Sequence, residues 1–412
     1  VLPVVVLVAT SALPGSAAPP EPLALVEANL VDVRSGRVLP HATLVVRDGK
    51  IASVGPGAAP PGVRVIDLAG KHVLPGLIDC HTHLATLAAA RLALESGVTT
   101  VRSSGVSNYA DVGLRELVRK GAVPGPDVVA AGYHVRPRIA EEAFFSDPSL
   151  SNLMGGVEGP EAIRQVVRTN LSHGVDFIKV LATERAGTAD TDPRKQTYTE
   201  AELRAAVEEA AAKGIPVQAH AHGDAGARAA VLAGVRSIEH GTYLSEETLA
   251  LMKEKGTFFV PTYATVIDLA EPGGEYDEPA LRNRGRHMLA QLRATVRSAR
   301  TLGVRIATGA DTGYRPNSLT RVSHEVAALA ELGLTPLQAL QAATTVAAEL
   351  LRLEKSAGAL EPGLDADVIA VEGNPLENPA ALEDVLLVVS NGFVALDRLS
   401  FSKSASATRQ AP

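Results

Sequence analysis

Two hydrophobic rhythms divide the chain. Between residues 22 and 75, short runs rich in β-formers are broken by turn residues. They are Leu23-Ala24-Leu25-Val26, Ala42-Thr43-Leu44-Val45-Val46, Lys50-Ile51-Ala52-Ser53-Val54 and Val63-Arg64-Val65-Ile66, with Gly36, Asp48-Gly49 and Gly55-Pro56-Gly57 between them. The same style returns in Gly358-Ala359-Leu360, in Ala366 to Val371 and in Val385 to Val389. This pattern predicts strands at both ends of the chain, packed together as one small β-sandwich domain from residues 22–75 and 356–400.

Residues 76–355 alternate strand-length apolar runs with helical periodicity. Strand candidates end at His81-Thr82-His83, Thr100-Val101-Arg102, Ala131-Gly132-Tyr133-His134 and Phe177-Ile178-Lys179-Val180. The series continues at Val217-Gln218-Ala219-His220, Ser237-Ile238-Glu239-His240, Phe258-Phe259-Val260 and the run from Arg305 to Asp311. Between them lie Ala-rich amphipathic segments such as Glu200–Lys213, which follows an N-cap residue, Thr199, and stops at Gly214. Eight strand–helix units predict an α/β fold, the (β/α)8 TIM barrel, with its chemistry at the C-terminal ends of the strands.

Composition fits this plan. Of the 412 residues 46% are hydrophobic, 3% are aromatic and none is Trp. A core of Ala, Val, Leu and Ile suits a parallel sheet covered by Ala-rich helices. The net charge of -7 comes from 39 basic and 46 acidic residues mixed along the chain. With no basic stripe, no nucleic-acid partner is expected. Cys80 is the single cysteine, which excludes an intrachain disulfide. Strand alternation turns it away from its histidine neighbours, so it reads as a small buried hydrophobe.

Residues 1–18 carry the apolar run and small residues of a secretory signal-peptide remnant, which predicts a secreted or periplasmic protein. No other segment is long and apolar enough to span a bilayer, so no membrane association is expected of the mature form. Residues 401–412 are Ser/Ala-rich and predicted to be a disordered tail.

The chemistry starts at His81 and His83. Residues i and i+2 of a strand share a face, so two imidazoles converge at one strand end and form a chelate for a divalent metal such as zinc. Other predicted strand ends add Lys179, His220, His240 and Asp311. Packing alone gives no reason for five strand ends to carry metal-type ligands in register. His222 shares a face with His220 and competes for the same role. Asp79, two residues before His81, reads as a structural hydrogen-bonding group.

These motifs resemble the amidohydrolase superfamily of metal-dependent hydrolases. The resemblance runs through Leu74-Pro75-Gly76-Leu77-Ile78-Asp79 ahead of the two histidines, Lys179, Ala219-His220-Ala221-His222-Gly223, Ile238-Glu239-His240-Gly241 and Gly309-Ala310-Asp311-Thr312-Gly313. It closes in the segment from Gly358 to Val371. It implies two divalent metal ions, zinc by ligand type, with His81, His83 and Asp311 on one and His220 and His240 on the other. Lys179, carboxylated by CO2, bridges both, and His222 falls to the second shell or the surface. A lysine ammonium beside two cations is disfavoured, and the free amine can add CO2 to give an anionic carbamate. Two metals lower the pKa of a bridging water and polarise the substrate carbonyl. Asp311 takes the proton of that water during attack and passes it to the leaving amine.

Within the superfamily the chain is most similar to the branch holding Xaa-Pro dipeptidases (prolidases), related carboxypeptidases, imidazolonepropionase-like proteins and ochratoxin-type amidases. The resemblance implies a small-molecule or dipeptide substrate cut at a C-terminal amide. His134 is then the candidate hydrogen-bond donor to the scissile carbonyl oxygen, and Tyr243 the candidate partner of the substrate carboxylate. Arg136, Arg138, Arg185 and Arg315 lie just past strand ends and also suit a carboxylate. Loops 136–158 and 183–197 suit specificity walls. Two departures from the family pattern fall at the mouth of the site: a short segment from Leu84 to Ala93, and Ser103 where an Asp is common. The rival readings are a mononuclear cyclic amidase or deaminase and a non-catalytic scaffold. Lys179 speaks against the first and the full ligand set against the second. A homo-oligomer is compatible with such a barrel.

Overall fold

A computed structural model describes residues 19–275, 277–316 and 318–400. The expected signal segment and the expected C-terminal tail lie outside the described residues.

The N-terminal strands are β1 (Leu23–Asp32), β2 (Arg37–Arg47), β3 (Lys50–Gly55), β4 (Arg64–Asp67) and β5 (His72–Pro75). Seven parallel strands follow: β6 (Leu77–Thr82), β7 (Val98–Ser103), β8 (Asp127–Ala130), β9 (Ile178–Leu181), β10 (Val217–Gly223), β11 (Ser237–Tyr243) and β12 (Phe258–Val260). The last three are β13 (Val368–Val371), β14 (Val385–Ser390) and β15 (Phe393–Asp397).

Both ends of the chain meet in one sheet of order β15-β14-β13-β5-β1-β2-β3, with β4 added on β1. The expected β-sandwich therefore takes a different form. Strand β5 pairs parallel with β1 and antiparallel with β13, so the strands of both chain ends are hydrogen-bonded into one continuous sheet. Its strands bury a common core that includes Leu25, Leu44, Ile51, Val73, Val368 and Leu387.

The parallel strands form two sheets, β6-β7-β8 and β12-β11-β10-β9. Isolated parallel bridges join Val135 to Val180 at one boundary, and Phe259 to Ile306 and Thr82 to Thr312 at the other. Helices connect consecutive strands. Helix Glu200–Ala211 starts at Thr199 with the expected cap, strengthened by a reciprocal bond from Glu202.

Two expected strands differ. The third ends at Ala130, because Gly132 takes a positive φ of 68° and turns the chain before His134. The eighth, from Arg305 to Asp311, forms no regular ladder among the described residues. Ala307 N–H and Asp311 N–H bond to Phe259 O and His81 O, but Thr308 N–H turns to Ala342 O and Ala310 N–H to the Asp79 carboxylate. Alternate donors leave the strand direction, so pairing is interrupted. No described helix is long and apolar enough to cross a membrane.

Candidate metal and active site

The parallel strands deliver their polar residues to one place. His81 lies near the end of β6 and His83 just past it. Their Nε2 atoms stand 3.6 and 3.2 Å from Asp311 Oδ1. Lys179 of β9 is buried, with Nζ 3.3 Å from His81 Nε2. His220 and His222 come from β10 and His240 from β11. Ligand atoms of His220, His222 and His240 lie within 4.8 Å of one another, as do those of His81, His240 and Asp311. His240 thus belongs to both groups. The structure also corrects the surface alternative for His222. Its ring is buried, stacks on His240 at 4.6 Å between centroids and bonds Thr242 Oγ1 through Nδ1 at 2.9 Å.

Two backbone features aim these groups. His240 and Asp311 both have positive φ, 70° and 44°, a region non-glycine residues seldom occupy. Strain of this kind persists only where the surroundings enforce it, and it gathers at functional sites.

Second contacts fix the rings. His83 Nδ1 faces Gly105 O at 2.8 Å, and His240 Nδ1 faces Thr262 Oγ1 at 2.8 Å. His81 Nδ1 meets the Glu239 carboxylate at 2.8 Å, which leaves Nε2 for the cavity. Glu239 is itself held by Arg102 Nη2 at 2.9 Å and by the Ser237 hydroxyl at 2.5 Å. Arg102 also donates to Cys80 O at 2.6 Å, beside His81. Asp79 acts as expected: it accepts from His81 N–H and Ala310 N–H, both at 3.0 Å, and from the Tyr314 hydroxyl at 2.8 Å. One carboxylate thereby ties together the chain segments that carry His81 and Asp311.

Electrostatics suit metal ligation. Burial first, then the charge of Lys179, holds His81 down to about 4. Burial takes His222 down to about 3, and keeps His134, His220 and His240 well below the ordinary histidine value. These imidazoles are neutral at pH 7, the form that binds a cation. Burial alone would raise the Asp311 carboxyl, but His81, His83 and Lys179 outweigh it and hold the group ionised. Burial lowers Lys179 to about 7 against the pull of Glu239 and Asp311, so much of it is free amine at neutral pH. Neutral nitrogen donors around one ionised carboxylate fit a borderline divalent cation.

The amidohydrolase family profile matches residues 72–394. The chain belongs to the amidohydrolase family. It is a hydrolase acting on carbon–nitrogen bonds. Ochratoxinase of Aspergillus niger is 31% identical over 397 residues, covering 86% of this chain and 82% of its own. Imidazolonepropionase of Symbiobacterium thermophilum is 30% identical, covering 82% of this chain and 85% of its own. A crystal structure of a Xaa-Pro dipeptidase with bound methionine in the active site matches at a TM-score of 0.80 and 30% identity, over 90% of this chain and 99% of that one.

The other candidates in this amidohydrolase separate into two groups. His134, Arg136 and Arg185 line the cavity over the histidines. Together with Arg315 they also line an adjoining cleft of about 450 Å3. Gly105 makes room for the His134 ring, since a Cβ there would fall 2.6 Å from its Nε2. Tyr243 is not brought to either cavity wall; its hydroxyl lies 3.2 Å from His287 Nδ1. Arg138 is likewise outside both. Ser103 does not face the mouth: its hydroxyl accepts from Leu84 N–H at 3.2 Å and anchors the short segment after β6. That segment leads into a helix over Leu87–Glu95, capped by Thr86.

Sequence reasoning missed the Glu239–Arg102 pair. Both stand in quoted strand segments, but only the fold shows that they meet beneath His81. Gly309 is a second constraint of the amidohydrolase site. A Cβ there would fall 2.7 Å from both His81 Cβ and Val260 Cγ1. Gly309→Ala is expected to cost about 1–3 kcal/mol of stability. A thermal melt with an unchanged midpoint would contradict this.

Proposed function

We propose that this amidohydrolase hydrolyses an amide whose leaving amine carries a carboxylate, a dipeptide of the Xaa-Pro kind or an N-acyl amino acid, at a binuclear metal centre. The observation that carries the reading is Lys179: a buried lysine, about 7 in pKa, set among six histidines and one aspartate of the same cavity. His81, His83 and Asp311 would hold one ion, and His220 and His240 the other, with zinc suited to these ligands. Lys179, as its carbamate, would supply the anionic bridge that neutral imidazoles cannot. The eight strand segments closing as a (β/α)8 barrel belong to the same proposal. When bound, two such cations acidify a water and polarise the scissile carbonyl.

The chain's own groups do the rest. Asp311, ionised at neutral pH, accepts a proton from the attacking water. It then returns that proton to the amine nitrogen as the C–N bond breaks. His134 is neutral and carries one N–H, which it directs at the carbonyl oxygen as negative charge develops there. Glu239 keeps the His81 proton on Nδ1 throughout.

The test is a substrate panel on the metal-loaded protein: Xaa-Pro dipeptides, N-acyl amino acids and a cyclic amide of the imidazolone type. Release of free amino acid from the open-chain amides is expected. Turnover confined to the cyclic amide would overturn this reading in favour of the mononuclear alternative.

A further inference from the structure

Helix Tyr263–Ala270 starts without its usual cap. The residue before it, Thr262, has a left-handed backbone, with φ 50° and ψ 43°. A threonine in that place ordinarily turns its hydroxyl to an N–H of the first turn. Thr262 makes no such bond. Its Oγ1 donates to Pro261 O at 2.7 Å and lies 2.8 Å from His240 Nδ1. A hydroxyl has one hydrogen, and Pro261 O receives it. His240 Nδ1–H therefore donates to Oγ1, and Nε2 is left for a cation.

The N–H groups of the helix start are served from another helix instead. Glu325 of helix Val322–Glu331 is fully buried and accepts Tyr263 N–H at 3.0 Å and Ala264 N–H at 2.7 Å. Val322, Val326 and Leu329 of the same helix are buried hydrophobes. Another apolar residue in the place of Glu325 would avoid the cost of burying a carboxyl. Burial raises Glu325 above the ordinary carboxyl range, and the N–H groups of Ala264 and Tyr263 oppose that rise. The partial positive charge of a helix start opposes it too.

The same turn reaches the other strained residue of the site. The Thr265 hydroxyl donates to Ala310 O at 2.5 Å, and Asp311 N–H donates to His81 O at 2.7 Å. Ala310 C=O and Asp311 N–H belong to one planar peptide unit, so that plane is held at both edges. The φ of Asp311, 44°, is its rotation against that plane. His240 and Asp311, the two site residues with positive φ, thus lean on Thr262 and Thr265 of one helix start, and both threonines line the metal-facing cavity.

We propose that Glu325 is a remote positioning residue of the metal site. By capping helix Tyr263–Ala270 in place of Thr262, it frees that hydroxyl for His240 and sets Thr265 against the Asp311 peptide. This rests on the metal-centre reading above.

The test is a zinc titration of the metal-free protein against a competing chelator. Glu325→Gln keeps the volume but offers one acceptor to two N–H groups, and the unserved N–H draws the Thr262 hydroxyl away from His240. Zinc should bind about 10-fold more weakly, the lower end of the loss for outer partners of a ligand. Thr262→Val breaks the same link from the His240 side, so the two changes together should lose less affinity than their separate effects combined. Wild-type affinity in Glu325→Gln, or full additivity with Thr262→Val, would overturn the proposal. Nitrogen NMR of the His240 ring in the metal-free protein gives a readout that needs neither metal nor substrate. The proton should be fixed on Nδ1 in the wild type and shared between both ring nitrogens in Glu325→Gln; an unchanged tautomer would overturn the proposal. If the wild type binds no zinc, the metal reading fails by itself, and the ring tautomer alone decides. Should Glu325→Gln not fold, Thr265→Val carries the test, since it leaves the cap intact. Weaker zinc binding in that variant supports the brace, and unchanged binding overturns it.

Discussion

Asp311→Asn should lower kcat about 100- to 10,000-fold, the span lost when a positioned acid–base group is removed. The substitution keeps shape and nearly all volume. It removes a carboxylate that His81, His83 and Lys179 hold ionised, and an amide cannot accept the water proton. The backbone bond from Asp311 N–H to His81 O at 2.7 Å is untouched, so the fold should remain. Lys179→Ala should abolish turnover as well, by removing the only primary amine on the cavity wall among the described residues. Kinetics and a thermal melt on the same preparations check both. Wild-type-like turnover in either variant would refute the assigned roles.

The second large effect is expected at Glu239, which touches no substrate. Burial would raise this carboxyl, but Arg102 and then His81 outweigh burial and hold it at about 2. Glu239→Gln leaves the buried Arg102 guanidinium without its counter-charge. Breaking such a pair costs about 3–5 kcal/mol. It also frees the His81 ring to change tautomer, and loss of an outer partner of this kind weakens metal binding about 10- to 100-fold. Chemical denaturation and a metal titration against a competing chelator read the two effects separately. A variant that matches the wild type in both would show that the pair is not what orients His81.

Much of this was legible in the chain. The two hydrophobic rhythms separate the terminal sheet from the parallel strands because exposed antiparallel strands alternate and buried parallel strands do not. The two-residue spacing of His81 and His83 was enough to bring both to Asp311. Three features were not legible. Strand pairing through β5 is a long-range choice, and local pattern carries no signal for it. The irregular run to Asp311 depends on Asp79, some 230 positions away in sequence, capturing the Ala310 N–H. The contact of the Tyr243 hydroxyl with His287, 44 positions on, is likewise a long-range pairing that periodicity does not register.

The central claim is a two-metal site bridged through Lys179. It is tested most directly by elemental analysis of the purified, active enzyme beside Lys179→Ala. About two divalent ions per chain are expected in the wild type, and fewer together with lost activity in the variant. About one ion per chain in a fully active wild type, unchanged in the variant, would contradict it.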